Sequence, residues 1–176
     1  MILLPDIFTT IRFLLVPFIY FSIPKSIILT LILLSIAFIT DILDGYISRK
    51  LRINEREFGK AYDHLVDKLL IFVIIYALVI YKDLPSWALI FYLIREFLLL
   101  IGAIFLWFYK SRIHGSNIIG KISGIIFYVM VISYLFDVEF KFKLLIISII
   151  ASSLAFIVYA IRAYKTIYDT ISHTKF

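Results

Sequence analysis

The sequence predicts an all-α integral membrane bundle of six transmembrane helices, with both termini in the cytoplasm. Its 176 residues are 63% apolar and only 17% charged, and the mean hydropathy is +1.04. Soluble domains are about 45–50% apolar and about 25% charged. Since one bilayer crossing takes roughly 20 helical residues, six crossings use about 120 residues and leave the remainder for loops and ends. We therefore expect a single transmembrane domain over residues 1–176.

Apolar runs separated by short polar segments define the crossings. The first run carries Asp6 and Arg12 and has no small-residue cleavage site, so it is a mature helix rather than a signal peptide. The second and third runs flank the longest polar stretch, Ser48–Lys60. Short loops join the remaining runs, which makes sequential helices antiparallel neighbours. The six crossings are expected at residues 7–22, 27–45, 62–81, 86–109, 118–136 and 143–163.

The distribution of Lys and Arg orients the bundle. Eleven of these residues lie in the second-to-third and fourth-to-fifth connections and the C-terminal tail, against four on the opposite face. The more basic face is expected to be cytoplasmic, in a multi-pass protein of the cell membrane. The net charge of +6 is then explained by topology and by anionic lipid phosphates rather than by nucleic acid. Without cysteine, any bound metal must be held by oxygen or imidazole.

Four aspartates flank the polar stretch. Asp41 and Asp44 are spaced i, i+3 at the end of the second helix, and Asp63 and Asp67 are spaced i, i+4 at the start of the third. Each pair shares one helix face, and convergence of the faces would require a cation between the carboxylates. Carboxylate oxygens favour Mg²⁺, Mn²⁺ or Ca²⁺, and four suit two ions better than one. Two such ions stabilise the attacking and leaving oxygens in phosphoryl transfer.

Glycines accompany both pairs. Gly45 would let a phosphate or nucleotide approach the backbone, and Gly59 lies one turn before Asp63. Arg49, one turn after Gly45, can reach a phosphate. The alternative is that the aspartates are solvated residues paired with Arg49, Arg52 and Lys60. Four aspartates at helical spacing, with a glycine beside each pair, favour the metal site.

These residues resemble the signature of the CDP-alcohol phosphatidyltransferase family, D-x2-D-G-x2-A-R followed by G-x3-D-x3-D. The chain reads DILDGYISR, nine residues, then GKAYDHLVD, with Ser48 in place of the usual alanine. The opening PDIFTTIR resembles the family's P-N-x-L-T-x-x-R, with Asp6 where asparagine is common.

The resemblance implies a six-helix membrane homodimer that transfers a substituted phosphate from a CDP-linked lipid to an alcohol and releases CMP. Two divalent cations, Mg²⁺ or Mn²⁺, would be held by Asp41, Asp44, Asp63 and Asp67. Asp67 would also be the catalytic general base for the acceptor hydroxyl. The implied nucleotide-binding residues are Thr9, Asp44, Gly45, Ser48, Arg49 and Gly59.

Three features resemble the branch that makes phosphatidylglycerophosphate from glycerol 3-phosphate. They are Asp67-Lys68, Ile94-Arg95-Glu96-Phe97 and the partial match Gly120-Lys121-Ile122-Ser123-Gly124. The acceptor phosphate, a dianion, is expected to bind Arg112 and Lys121. Alternatively, the basic loop only sets topology, and Arg95 and Glu96 form an intramembrane ion pair joining helices.

Other functions remain as alternatives at this stage. The same transfer could use inositol phosphate, serine or phosphatidylglycerol as acceptor, or an archaeal ether-linked CDP donor. An aspartate-lined cation transporter also places carboxylates at a helix mouth. The transporter is disfavoured because the aspartates lie at one membrane face and the sequence shows no inverted repeat.

Overall fold

A computed structural model describes the backbone of residues 4–50, 57–108 and 118–173, and the side chains of most of them. Within these ranges the secondary structure is helical, with no strand. This confirms the predicted all-α class and the predicted number of helices. In chain order the helices are α1 (Leu4–Ser22), α2 (Ile27–Lys50), α3 (Glu57–Tyr81), α4 (Ser86–Phe108), α5 (Ile118–Leu135) and α6 (Lys141–His173).

Three helices extend into polar sequence beyond the predicted crossings. Helix α2 continues to Lys50 and α3 begins at Glu57, while α6 continues to His173. Asp41 and Asp63 therefore lie within their helices, not at the helix ends where the hydropathy pattern placed them. Hydropathy reports the apolar length of a segment, whereas a helix continues for as long as its backbone hydrogen bonds are made.

The chain divides into two compact units, Met1–Leu89 and Ile90–Phe176. In the first unit α1 packs against both α2 and α3. Ile19, Ile74 and Leu78 are almost fully buried in its core. The Thr30 hydroxyl donates a hydrogen bond to Ser22 Oγ over 2.9 Å and joins α2 to α1. Residues on the buried face of α1 can therefore contact two neighbouring helices.

In the second unit α5 packs against α6. The hydroxyls of Tyr92 and Ser148 lie 2.8 Å apart and join α4 to α6. The Tyr92 ring also meets Phe127 edge-on, with centroids 5.3 Å apart. Arg95 and Glu96 form an ion pair with each other, with side chains that are 20% and 14% exposed. The prediction of one domain over residues 1–176 stays a prediction.

Residues in the short connections help to define where the helices begin and end. Ser26 Oγ accepts a hydrogen bond from the Leu29 amide over 3.3 Å and caps the start of α2. Asp83 and Asp137 follow the ends of α3 and α5 and adopt positive φ values of 55° and 53°. Such left-handed residues commonly end helices, and aspartate tolerates the conformation better than most side chains.

The surface of the described residues is strongly apolar. Phe18 on α1 is 64% exposed, and Ile28 on α2 and Ile118 on α5 are each 73% exposed. Among the described residues, α5 and the Lys141–Thr166 part of α6 are long and apolar enough to cross a membrane. Shorter apolar stretches occupy Ile7–Ser22 and Ile27–Asp41.

Candidate functional site: an arginine-centred carboxylate cluster

The candidate site is organised by Arg12, whose side chain is only 1% exposed. Its Nη1 atom donates to Oδ1 of Asp41 over 3.0 Å and also pairs with Oδ1 of Asp67. Its Nη2 atom donates to Oδ1 of Asp63 over 2.6 Å. One guanidinium thus pairs with carboxylates from α2 and α3, because α1 contacts both helices. We call Arg12, Asp41, Asp63 and Asp67 the carboxylate cluster.

Thr9 lies beneath the cluster on the same face of α1. Its spacing of three residues from Arg12 places both side chains one above the other. The Thr9 hydroxyl donates to Oδ1 of Asp63 over 3.1 Å, and the residue is only 2% exposed. Thr9 therefore supports Asp63 from the buried side.

The cluster has a buried base and an accessible top. The side chains of Asp41, Asp63 and Asp67 are 51%, 30% and 36% exposed, whereas Arg12 is buried below them. Among the described side chains of the cluster, Arg12 supplies one positive charge against three carboxylates, a formal surplus of two negative charges within this set. The carboxylates are therefore more accessible to solvent than the arginine that pairs with them.

The chemistry of the donor set fits a divalent cation. All three described ligand candidates are carboxylates, the oxygen donors that Mg²⁺ and Mn²⁺ prefer. Within the part of the chain that the structure describes, no three acidic or histidine side chains are spaced to hold a metal ion by themselves. The Oδ1 atoms instead converge on the Arg12 guanidinium.

The structure brings together three of the four aspartates predicted as metal ligands, and it adds Thr9 from the predicted nucleotide site. The helical backbone carries the remaining predicted residues of this region, whose side chains lie outside the described set. They are Asp44, Gly45, Ser48, Arg49 and Gly59.

The predicted acceptor pair is only partly described. Arg112 lies outside the described residues. Lys121 lies in the first turn of α5 and is exposed. The pairing of these two residues stays a prediction.

The contacts of Arg12 are not predicted by the sequence patterns. A cation was expected between the carboxylates, and the structure shows that the chain supplies one itself. Two signals were present in the sequence: an arginine inside an apolar run and a threonine three residues before it. A charged side chain in such a helix is expected to face a polar partner inside the protein.

Comparison with known proteins identifies the family. Residues 2–163 match the family model described as CDP-alcohol phosphatidyltransferase. Two curated relatives share the name CDP-diacylglycerol--glycerol-3-phosphate 3-phosphatidyltransferase. The Bacillus subtilis (strain 168) protein is 36% identical in an alignment of length 107 that covers 57% of this chain and 51% of the relative. The Rickettsia bellii (strain RML369-C) protein is 36% identical in an alignment of length 99 that covers 54% of each chain.

These alignments span about half the length of the curated relatives. The family match, in contrast, extends over most of the chain and includes both motif segments and the opening PDIFTTIR. The chain therefore belongs to the CDP-alcohol phosphatidyltransferase family.

Proposed function

We propose that this chain transfers the phosphatidyl group of CDP-diacylglycerol to glycerol 3-phosphate, giving phosphatidylglycerophosphate and CMP. The observation that carries the proposal is the convergence of Asp41, Asp63 and Asp67, all from the family motif, on one partly exposed site. Family membership supports the donor chemistry. The names of the two curated relatives support glycerol 3-phosphate as acceptor.

Two divalent cations, Mg²⁺ or Mn²⁺, would be held by Asp41, Asp44, Asp63 and Asp67. When bound, these ions would neutralise the charge that develops on the departing CMP as the pyrophosphate linkage breaks. The surplus of negative charge in the carboxylate cluster supports this assignment. Arg12 pairs with Asp41, Asp63 and Asp67, and Thr9 donates to Asp63, so three of these carboxylates are held by contacts between helices.

We assign the proton transfer to Asp67. The acceptor hydroxyl oxygen forms a bond to the β-phosphorus, and the bond between that phosphorus and the oxygen of CMP breaks. The hydroxyl proton passes to Asp67. Since Arg12 pairs with Oδ1 of Asp67, we assign proton acceptance to its Oδ2 atom. A positioned base of this kind contributes roughly 10²–10⁴-fold to a rate.

The nucleotide end of the donor would lie against the α2 motif. Gly45 has no side chain to obstruct the phosphates, and Arg49 supplies a positive charge one turn later. Ser48 and Gly59 complete the set that the family resemblance supports. Arg112 and Lys121 are proposed to bind the acceptor phosphate, because a dianion requires more than one cation for tight binding.

We also propose that all six helices cross the cell membrane, with both termini and the site at the cytoplasmic face. The exposed apolar side chains and the buried Thr9, Arg12 and Ser148 support a lipid setting, in which polar groups are satisfied inside the protein. The family resemblance supports a homodimer, which light scattering of the solubilised protein would detect.

The testing experiment is CMP release by the purified full chain in detergent with CDP-diacylglycerol and Mg²⁺. Glycerol 3-phosphate, inositol phosphate, serine and phosphatidylglycerol are supplied in parallel, with EDTA as the control. Of the four acceptors, only glycerol 3-phosphate is expected to give CMP release. We expect no CMP release in EDTA.

The other outcomes separate the parts of the proposal. Release with a different acceptor would overturn the acceptor assignment and retain the donor chemistry. Absence of CMP release with all four acceptors, and again with an ether-linked CDP donor, would overturn the proposed transfer.

A further inference from the structure

We infer that Arg12 is a positioning residue that acts as an internal counter-ion for the carboxylate cluster and is negatively coupled to divalent-cation binding at the same carboxylates. The inference rests on the proposed function, since it concerns the cation site proposed there. It assigns to Arg12 a property that neither the family match nor the names of the relatives contain.

The geometry of the guanidinium supports the counter-ion assignment. Its Nη1 atom contacts Oδ1 of Asp41 and Oδ1 of Asp67. Its Nη2 atom contacts Oδ1 of Asp63. The contacts join α1 to carboxylates of both α2 and α3, while the arginine is 99% buried beneath them. A planar fork of donors can hold three carboxylates in this way, whereas the ammonium group of a lysine is a point charge.

Negative coupling follows from the shared ligands. A divalent cation held by these three carboxylates would use side chains that already pair with the guanidinium. The cation and the guanidinium would then share carboxylate partners at a partly buried site, where solvent and salt screen their repulsion weakly. Removal of the guanidinium charge removes this repulsion, so loss of Arg12 should strengthen cation binding.

The test compares Mn²⁺ binding and thermal unfolding of the full chain in detergent for the wild type and three variants. Arg12→Gln removes the charge. Arg12→Lys keeps the charge but loses the fork. Arg95→Gln is the matched control, because Arg95 is also a mostly buried arginine of an apolar helix but pairs with Glu96.

In EDTA, Arg12→Gln should unfold at a lower temperature than the wild type, since three carboxylates lose their counter-charge. Its dissociation constant for Mn²⁺ should fall on the order of tenfold, within the usual range of coupling between sites. Saturating Mn²⁺ should therefore raise its unfolding temperature more than that of the wild type. Arg12→Lys should bind Mn²⁺ as the wild type does, and Arg95→Gln should show the wild-type response to Mn²⁺.

Unchanged or weaker Mn²⁺ binding by Arg12→Gln would overturn the inference. So would failure of this variant to fold in Mn²⁺, because the cation is expected to replace the missing counter-charge. CMP release separates this inference from the proposed function. Wild-type release with unchanged Mn²⁺ binding by the variant refutes only the coupling, whereas tighter binding by the variant without wild-type release refutes only the proposed transfer. A wild-type chain that neither binds Mn²⁺ nor releases CMP refutes both.

Discussion

Arg12 shows how a single residue can organise a site built from several helices. A buried arginine is costly in an apolar helix unless carboxylates and hydrogen bonds compensate for its lost hydration. Here Asp41, Asp63 and Asp67 compensate for it, and Thr9 donates to one of the same oxygens. The cluster is therefore held by the protein itself, independently of any ligand.

At this scale the sharpest prediction concerns the carboxylates. Asp41→Asn and Asp67→Asn keep the size of each side chain and remove its charge. Each should reduce CMP release at least about 100-fold, since Asp41 loses affinity for the proposed cations and Asp67 also loses the proposed base. Both variants should remain folded by circular dichroism, because the amide oxygen can still accept from Arg12.

Glu139→Gln is the matched control, since Glu139 is an exposed acid in the short connection between α5 and α6. It should release CMP at the wild-type rate. Full activity of either aspartate variant would contradict the two-cation proposal.

The sequence allowed prediction of the aspartates but not of their partner. Spacings of three and four residues within one helix predict that the two side chains share a face. Asp63 and Asp67, four residues apart on α3, both pair with Arg12. The contact between Arg12 and three residues more than 25 positions away depends on helix packing, which no local pattern encodes. From the sequence, Arg12 is evident as a charge in the first apolar run and as part of the opening motif, without its partners.

At the scale of the helices, the apolar runs predict each helix that the structure describes, but several of these helices extend beyond the apolar run. The predicted second crossing stopped at residue 45, whereas α2 runs to Lys50. The same difference occurs at the start of α3 and at the end of α6. A helix can continue through polar residues because its hydrogen bonds are made by the backbone. Hydropathy depends on the side chains and does not report these backbone hydrogen bonds.

A second prediction concerns the hydrogen bond between α4 and α6. Tyr92 and Ser148 are 3% and 0% exposed, and their hydroxyls lie 2.8 Å apart. Tyr92→Phe should lower the free energy of unfolding by about 0.6 kcal/mol, the average for such bonds between membrane helices. The measurement is a double-mutant cycle with Ser148→Ala in mixed micelles of increasing SDS content.

The cycle isolates the pair from the packing of either residue alone. The double variant should cost less than the two single variants added together, because neither hydroxyl is then left without its partner. Strict additivity would show that the bond does not couple the two helices.

At the scale of the whole chain, the distribution of polarity is the informative feature. Buried positions include Thr9, Arg12, Ser148 and Ser152, while large apolar side chains cover much of the exposed surface of the described residues. This arrangement is expected where lipid replaces water, since lipid satisfies no hydrogen bonds. It fits the lipid setting proposed above, and two of the described helices are long and apolar enough to cross a membrane.

The absence of cysteine from the chain makes its topology directly testable. Lys25→Cys, Glu139→Cys and Lys165→Cys each introduce a single thiol at an exposed position. With six crossings and cytoplasmic termini, a membrane-impermeant maleimide should label the first two in intact cells, because their connections face outward. It should label Lys165→Cys only after permeabilisation, because α6 returns the chain to the cytoplasmic face. The cysteine-free wild type provides the unlabelled control, and a thiol at position 165 that reacts in intact cells would refute the cytoplasmic location of the end of α6.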